Sequence, residues 1–281
     1  MQWWCVAQSV PWSWEWRPYP GVWLFLLGLV GLRWFLLRRS DSGSEVTSGR
    51  RWAFGTGLVA LWLALDWPLG ALGAGYLASA HMLQFLLIAL VAPPFLLLGL
   101  PSSTYRQIDL PGGVARVTQV LVHPLLALLV FAFTVGWTHW PAVVDSWMAS
   151  QLGSFALDMV WLGAGLVFWW PVVAPRPRRE WFGLPAKVAY LIVATIANTG
   201  VFMYLTYAQL PLYEIYELAP PIGWLTTRED QILAGLFMKL GGGLVLWTAI
   251  TILFGRWYLE SEGRIPGESD WDGPARPVTE G

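Results

Sequence analysis

The chain of 281 residues is too apolar to fold as a soluble domain, since 56% of its residues are hydrophobic, 12% are charged and 21 are Trp. A net charge of -1 and the lack of a basic patch with interleaved aromatic residues argue against a nucleic-acid partner. The single cysteine, Cys5, excludes an internal disulfide and a CxxC metal site. Several apolar runs reach the roughly 20 residues that cross a bilayer. We therefore predict an all-α polytopic membrane protein embedded in the lipid bilayer.

A bundle of about seven transmembrane helices is predicted over residues 21–254. Residues 1–20 form a Trp-rich segment that we expect at the membrane interface, because Trp prefers the headgroup level. Residues 255–281 form a polar tail that we expect to be mobile and cytoplasmic. Pro93 and Pro94 should break the third span, because they remove two backbone donors. The spans are predicted, in chain order, at residues 21–37, 52–72, 76–100, 117–137, 154–173, 188–207 and 232–254.

The distribution of basic residues predicts the orientation, because short loops rich in Lys and Arg stay in the cytoplasm. The loops on the opposite side contain little basic charge beyond Arg17 and Arg228. This asymmetry predicts an N-terminus outside and a C-terminus inside. The loops after the first, third and fifth spans contain Arg38, Arg39, Arg50, Arg51, Arg106, Arg116, Arg176, Arg178, Arg179 and Lys187.

A cluster of ligand-type side chains opens the third span, where His81 and Met82 precede a long apolar run. In the predicted orientation, His81 begins an inward-running helix and His139 ends an outward-running one, so both lie at the extracytoplasmic face. Met82 and Asp158 reach the same layer. Thioether favours Cu(I) and imidazole binds either oxidation state of copper, so we predict His81, His139, Met82 and Asp158 as candidate copper ligands. The simpler alternative is that these residues only form hydrogen bonds or pack within the bundle.

Intramembrane charge suggests a second, purely structural role for Asp158. Lys239 lies about two turns inside the last predicted span, at a depth comparable to that of Asp158. An ion pair between them would account for both residues without any ligand, because a lone charge is costly in low dielectric. The glycines of residues 241–243 are expected to permit close helix approach.

Several motifs occur together in an order and spacing that resemble the multi-spanning CtaG family of cytochrome c oxidase assembly proteins, over about residues 52–257. The motifs are Ser79-Ala80-His81-Met82-x-Gln84, Val91-Ala92-Pro93-Pro94 with Gly99-x-Pro101, Phe168-Trp169-Trp170-Pro171, Pro211-Leu212-Tyr213-x-x-Tyr216, and Asp230-Gln231-x-x-Ala234-Gly235-x-x-Met238.

The resemblance implies a role in maturing a haem-copper oxidase in the plasma membrane, as a multi-pass protein of the bacterial inner membrane with cytochrome c oxidase subunits as partners. It also implies transient handling of copper. The sequence departs from the family pattern His-Met-x-Gln-His, because Phe85 occupies the second His position. Near the start of the fifth span, where the family tends to have His, this chain has Ser154 and Phe155. Two candidate imidazoles, those of His81 and His139, remain.

Two functional interpretations therefore stay open. The first is an assembly factor that aids copper delivery or insertion at the extracytoplasmic face. The second is a non-catalytic structural or accessory subunit of an oxidase or respiratory supercomplex that has lost metal binding. A transporter gated by Lys239 and Asp158 has only the intramembrane charges in its favour. We expect no enzyme activity, because the sequence has no nucleophile and base arrangement, phosphate loop or dinucleotide motif.

Overall fold

The computed structural model describes residues 2–39, 47–101, 104–105, 113–174, 182–197, 199–223 and 225–264, and the regular structure in these residues is helical, without a strand. The principal helices within this part of the chain are α1 (Pro20–Arg38), α2 (Ser48–Leu65), α3 (Leu69–Gly75), α4 (Ala78–Leu98), α5 (Gly113–Leu121), α6 (Pro124–Thr138), α7 (Pro141–Met148), α8 (Gln151–Val173), α9 (Leu184–Ala197), α10 (Thr199–Tyr207), α11 (Glu214–Glu217) and α12 (Thr227–Ser261).

The helices confirm an all-helical architecture suited to a membrane. Among the described residues, five helical segments are long and apolar enough to cross a bilayer. The number rises to seven if α2 with α3, bent by 45°, and α6 with α7, bent by 73°, each count as one span. The predicted count of seven lies within this range. The orientation of the termini stays a prediction.

α4 lies at the centre of the bundle. Of its most apolar stretch, 67% is buried, compared with 28% in α12 and 6% in α1. It packs against α2, α3, α8 and α12. His81 and Met82 therefore lie on the candidate span with the largest buried fraction, whereas α1 and α12 present much of their surface outward.

The prediction that Pro93 and Pro94 break the third span is wrong. A π-helical turn at Leu86–Val91 precedes the prolines, and the helix continues through them to Leu98. Pro93 lacks the N–H that would bond the Ala89 carbonyl. Gly165 of α8 lies against this carbonyl, where an added Cβ would come within 2.3 Å of the Ala89 oxygen. Close approach of α8 covers the freed carbonyl, and the helix persists.

Two predicted spans are divided. The second ends as a helix at Leu65, where the C-cap residue Asp66 is extended, and the helix resumes at α3 after Trp67 and Pro68. The fourth is split at His123, which stands before Pro124 and therefore leaves the helical region. The His123 Nδ1 atom accepts a hydrogen bond from the Leu125 N–H at 3.2 Å and so caps α6.

The ends of the chain also differ from the predicted segments. Trp14 and Trp16 are exposed, but Trp4 is only 1% exposed and packs inside the bundle. The interfacial location of residues 1–20 stays a prediction for the exposed tryptophans. At the other end α12 continues to Ser261, beyond the predicted boundary at residue 254. The rest of the predicted tail, residues 265–281, lies outside the described residues.

Candidate functional site: a buried imidazole pair

His81 and His139 meet in the interior of the bundle. His81 lies in the first turn of α4, and His139 directly follows the last residue of α6. Their ring centroids are 6.2 Å apart, and both side chains are almost completely buried. The expectation that the two helix ends bring these imidazoles to one level is confirmed. Metal binding by them stays a prediction.

Three of the four ring nitrogens in this pair have no partner in good hydrogen-bond geometry, although the Gly73 carbonyl lies close to the His81 ring. The three nitrogens are Nδ1 and Nε2 of His81 and Nε2 of His139. The fourth, Nδ1 of His139, donates to the Val135 carbonyl at 2.7 Å, which leaves Nε2 as an acceptor. A buried polar atom without a partner costs about 1–3 kcal/mol. Imidazoles kept in this state are available to bind a ligand through their free nitrogens.

Aromatic side chains enclose the pair. The ring of Trp161 lies 4.9 Å from that of His81, and its Nε1–H donates to Thr138 Oγ1 at 3.0 Å. Phe85 packs edge-on against His139 and Trp161, with centroid distances of 4.9 and 5.3 Å. The residue that departs from the family pattern therefore touches the imidazole pair directly.

Asp158 forms a separate buried hydrogen-bond group about two turns from the N-terminal end of α8. Its Oδ2 accepts from Trp4 Nε1 at 2.7 Å, and its Oδ1 accepts from Gln84 Nε2 at 3.2 Å. The prediction that Asp158 pairs with Lys239 is wrong. Lys239 Nζ instead donates to Thr199 Oγ1 at 2.9 Å. The indole and the amide stabilise the carboxylate, so it needs no cation from α12.

Trp4 is the site residue that the sequence did not reveal. The backbone N–H groups of Trp3 and Trp4 donate to Gln151 Oε1, at 2.8 and 3.3 Å, and Gly21 N donates to the Trp3 carbonyl at 2.9 Å. These contacts fix the N-terminal segment across the start of α8. One more Trp in a Trp-rich stretch carries no signal that distinguishes it from an interfacial anchor.

Met82 is buried in the core one position after His81. Successive side chains on an α-helix diverge by about 100°, so Met82 and His81 point to different faces of α4. Within the described parts of the chain, no group of three or more His, Cys, Asp or Glu side chains is arranged to hold a metal ion. The predicted four-residue ligand set is thus not assembled as one cluster of such side chains, and the assignment of Met82 and Asp158 stays a prediction.

Asp230 fixes the start of the helix that carries His81. Its carboxylate accepts from the backbone N–H groups of Ala78, at 2.6 Å, and Ser79, and from the Ser79 hydroxyl. These are donors that the first turn of a helix leaves unpaired. The Ser79 and Asp230 positions of two separate motifs therefore meet as a cap supplied by another helix.

Two tyrosines between α10 and α12 hold the backbone around the imidazoles. Tyr213 Oη donates to the His139 carbonyl at 3.0 Å, and Tyr216 Oη donates to the Gly73 carbonyl at 2.6 Å. Burial raises the pKa of the Tyr216 hydroxyl well above its usual value, so it stays protonated and keeps donating. A Cβ at Gly73 would come within 3.0 Å of the His81 backbone, which explains the glycine.

These features define a polytopic helical membrane protein with a buried, partly unpaired imidazole pair at one end of its bundle. A family model described as cytochrome c oxidase caa3 assembly factor (Caa3_CtaG) matches residues 23–260. The chain therefore belongs to this family of oxidase assembly factors. Comparison with curated proteins and with solved structures finds no significant match.

Proposed function

We propose that this protein assists the assembly of a haem-copper cytochrome c oxidase in the plasma membrane by handling copper through His81 and His139. In the proposed orientation, the pair faces the extracytoplasmic side of the membrane. The observation that carries the proposal is the contact between two buried imidazoles that keep three ring nitrogens unpaired. Copper is the cargo in this scheme, taken up and released rather than retained.

The donor chemistry supports copper as the cargo. Imidazole binds copper well, and the apolar walls formed by Trp161 and Phe85 exclude water. An ion bonded to one nitrogen of each ring, at about 2 Å per bond, separates the ring centroids by about 6 Å. The separation of 6.2 Å between His81 and His139 is compatible with such a bridge. A pair of ligands holds an ion less firmly than three or four, which suits transfer.

Phe85 supports the second candidate, a non-catalytic scaffold or accessory subunit of the oxidase. Its phenyl ring lies against His139 where the family pattern has a further imidazole. A phenyl group cannot bind metal. In this alternative the chain keeps the framework of the assembly factors, and its contribution to the oxidase is made through its membrane surfaces.

The deciding experiment measures the copper content of the detergent-purified protein after anaerobic loading with Cu(I). We expect about one copper per chain, lost in His81→Ala and in His139→Ala, because each variant removes one of only two imidazole ligands. Phe85→His should hold copper more firmly than the wild type, because it adds an imidazole beside His139. Asp145→Asn, at a partly exposed site engaged by the Ile215 N–H, is the control and should bind copper normally.

The two candidates give opposite outcomes in cells. Loss of both copper and assembled oxidase in His81→Ala would support copper handling. Wild-type protein without copper, together with normal oxidase activity in His81→Ala, would overturn copper handling and favour the scaffold. Co-purification with oxidase subunits in mild detergent is expected of the scaffold, and its failure would contradict that alternative.

A further inference from the structure

Lys239 is an intramembrane cation that the imidazole site does not use. It is half-buried in α12, and its Nζ atom has the Thr199 hydroxyl at 2.9 Å and the face of the Phe202 ring at 5.8 Å. No carboxylate among the described residues forms an ion pair with it. A charged side chain at this depth is expensive and ordinarily has a partner of opposite charge.

The depth of Lys239 follows from its position along α12. It lies 12 residues after Thr227, which corresponds to about 18 Å along the helix axis. The polar start of α12, where Thr226 and Glu229 form a capping box, is therefore more than three turns away. Measured from the start of the apolar run at residue 232, Lys239 lies seven residues, or about 10 Å, inside the predicted span.

A cleft beside Lys239 is formed where α4, α9 and α12 meet. Its lining includes Phe85, Leu86, Thr195, Met238 and Gly243, and its volume of about 20 Å³ corresponds to about one water molecule. The cleft lies between two π-helical turns, Leu86–Val91 in α4 and Phe237–Gly241 in α12. Such turns are rare and frequently mark functional positions.

The surroundings of the cleft suit the approach of another helix. A Cβ at Gly243 would meet nothing within 4 Å, so the space beside it is open. Leu240 and Leu244 follow along the same helix and are 67% and 71% exposed. Small residues that admit close backbone approach, next to apolar side chains that face outward, are typical of helix interfaces in membranes.

We propose that this surface, Lys239 with Gly243, Leu240 and Leu244, binds a transmembrane helix of a partner that carries an Asp or Glu at the depth of Lys239. A second copy of this chain is disfavoured, because the carboxylates of Asp158 and Asp230 lie buried in its own hydrogen-bond groups. That the partner is an oxidase subunit rests on the proposed function. The requirement for an acidic membrane helix rests on the surface alone.

Site-specific photo-crosslinking in cells that produce the oxidase tests the proposal. Leu240→p-benzoylphenylalanine carries the probe, and Leu24→p-benzoylphenylalanine, on the exposed face of α1, is the matched control. We expect a cross-linked peptide with an acidic residue inside an apolar run, obtained from the Leu240 position and not from Leu24. Added Lys239→Met should lower the yield about tenfold or more, whereas Lys239→Arg should preserve it.

Each other outcome contradicts the proposal. The proposal would be overturned by a cross-linked peptide that has no acidic residue in its membrane segment, or by adducts with lipid alone or with a second copy of this chain. An unchanged yield in Lys239→Met would also overturn it. The copper content of the Lys239→Met variant distinguishes failure of the helix-binding proposal from failure of the proposed copper handling, because this variant keeps both imidazoles. An acidic helix captured from a membrane protein other than an oxidase would support the surface and contradict the proposed partner.

Discussion

Two buried polar groups differ in how many of their hydrogen bonds are made. One is Asp230 with Gln231 near the start of α12, and the other is His81 with His139, at the start of α4 and directly after α6. Asp230 accepts hydrogen bonds at both carboxylate oxygens, and Gln231 uses its amide to bind the Leu212, Leu205 and Leu210 backbone. Three of the four nitrogens of His81 and His139, by contrast, have no partner in good hydrogen-bond geometry. Both groups are equally shielded from solvent, so burial does not explain the difference.

The comparison distinguishes a polar group that makes its hydrogen bonds, around Asp230, from one that keeps unpaired nitrogens, His81 with His139. A polar group selected for stability ends with its donors and acceptors paired, because each unpaired atom in an apolar interior lowers the free energy of unfolding. The group around Asp230 meets this condition and positions the helix that carries His81. The imidazole pair does not meet it, and its unpaired nitrogens lower stability. Three substitutions test this contrast.

The largest effect is expected from Asp230→Ala. It leaves the Ala78 N–H, the Ser79 N–H and the Ser79 hydroxyl without an acceptor, and each loss costs about 1–3 kcal/mol. The free energy of unfolding, measured by SDS titration in mixed micelles, should fall by about 3 kcal/mol or more. Asp145→Ala, which removes one bond to the Ile215 N–H at a partly exposed site, should cost about 1 kcal/mol. Equal losses in the two variants would contradict the capping role.

An intermediate effect is expected from Trp4→Phe. It removes the indole donor from the Asp158 carboxylate but keeps an aromatic ring in the same place. The lost donor leaves a buried carboxyl oxygen unpaired, which costs about 1–3 kcal/mol, and the same titration should show a loss of this size. Trp14→Phe, at an exposed tryptophan, should change stability little. If Trp4→Phe costs no more when Asp158 is present than in the Asp158→Asn background, the two residues are not coupled.

The smallest effect, and one of opposite sign, is expected from His81→Leu. The apolar side chain of similar size removes two buried nitrogens without well-formed hydrogen bonds, so the free energy of unfolding should rise by about 1 kcal/mol. His139→Leu removes the bond to the Val135 carbonyl and should be less stable than His81→Leu. A loss of several kcal/mol in His81→Leu would show that its nitrogens serve the fold.

Part of this arrangement is predictable from the sequence because it depends on helix direction alone. His81 at the start of one span and His139 at the end of another must reach the same level if the spans are antiparallel, and they are in contact. Apolar run length likewise predicts most helices. Predicted depth along a span was a poor guide to pairing, since Lys239 and Asp158 were expected at a comparable depth but hydrogen-bond to different partners, Thr199 and Trp4.

Other features depend on long-range contacts that no local pattern encodes. The cap on α4 comes from Asp230, some 150 residues later in the chain, and the donor to Asp158 comes from Trp4. The persistence of α4 beyond Pro93 needs the π-helical turn and the glycine of α8 that lies against the Ala89 carbonyl. Proline chemistry correctly predicts a lost hydrogen bond there. It does not predict that a neighbouring helix, α8, packs against the carbonyl that has lost its hydrogen bond.

One continuous helix, α12, carries both Asp230 and Lys239, nine residues or about 13 Å apart along its axis. The Asp230 carboxylate caps the start of α4 next to His81, while Lys239 lines the cleft where α4, α9 and α12 meet. An α-helix resists compression along its axis, so the separation between Asp230 and Lys239 is nearly fixed. An axial displacement of α12 would move the cap of the imidazole-bearing helix by the same distance, which couples the Lys239 surface mechanically to the buried imidazole pair.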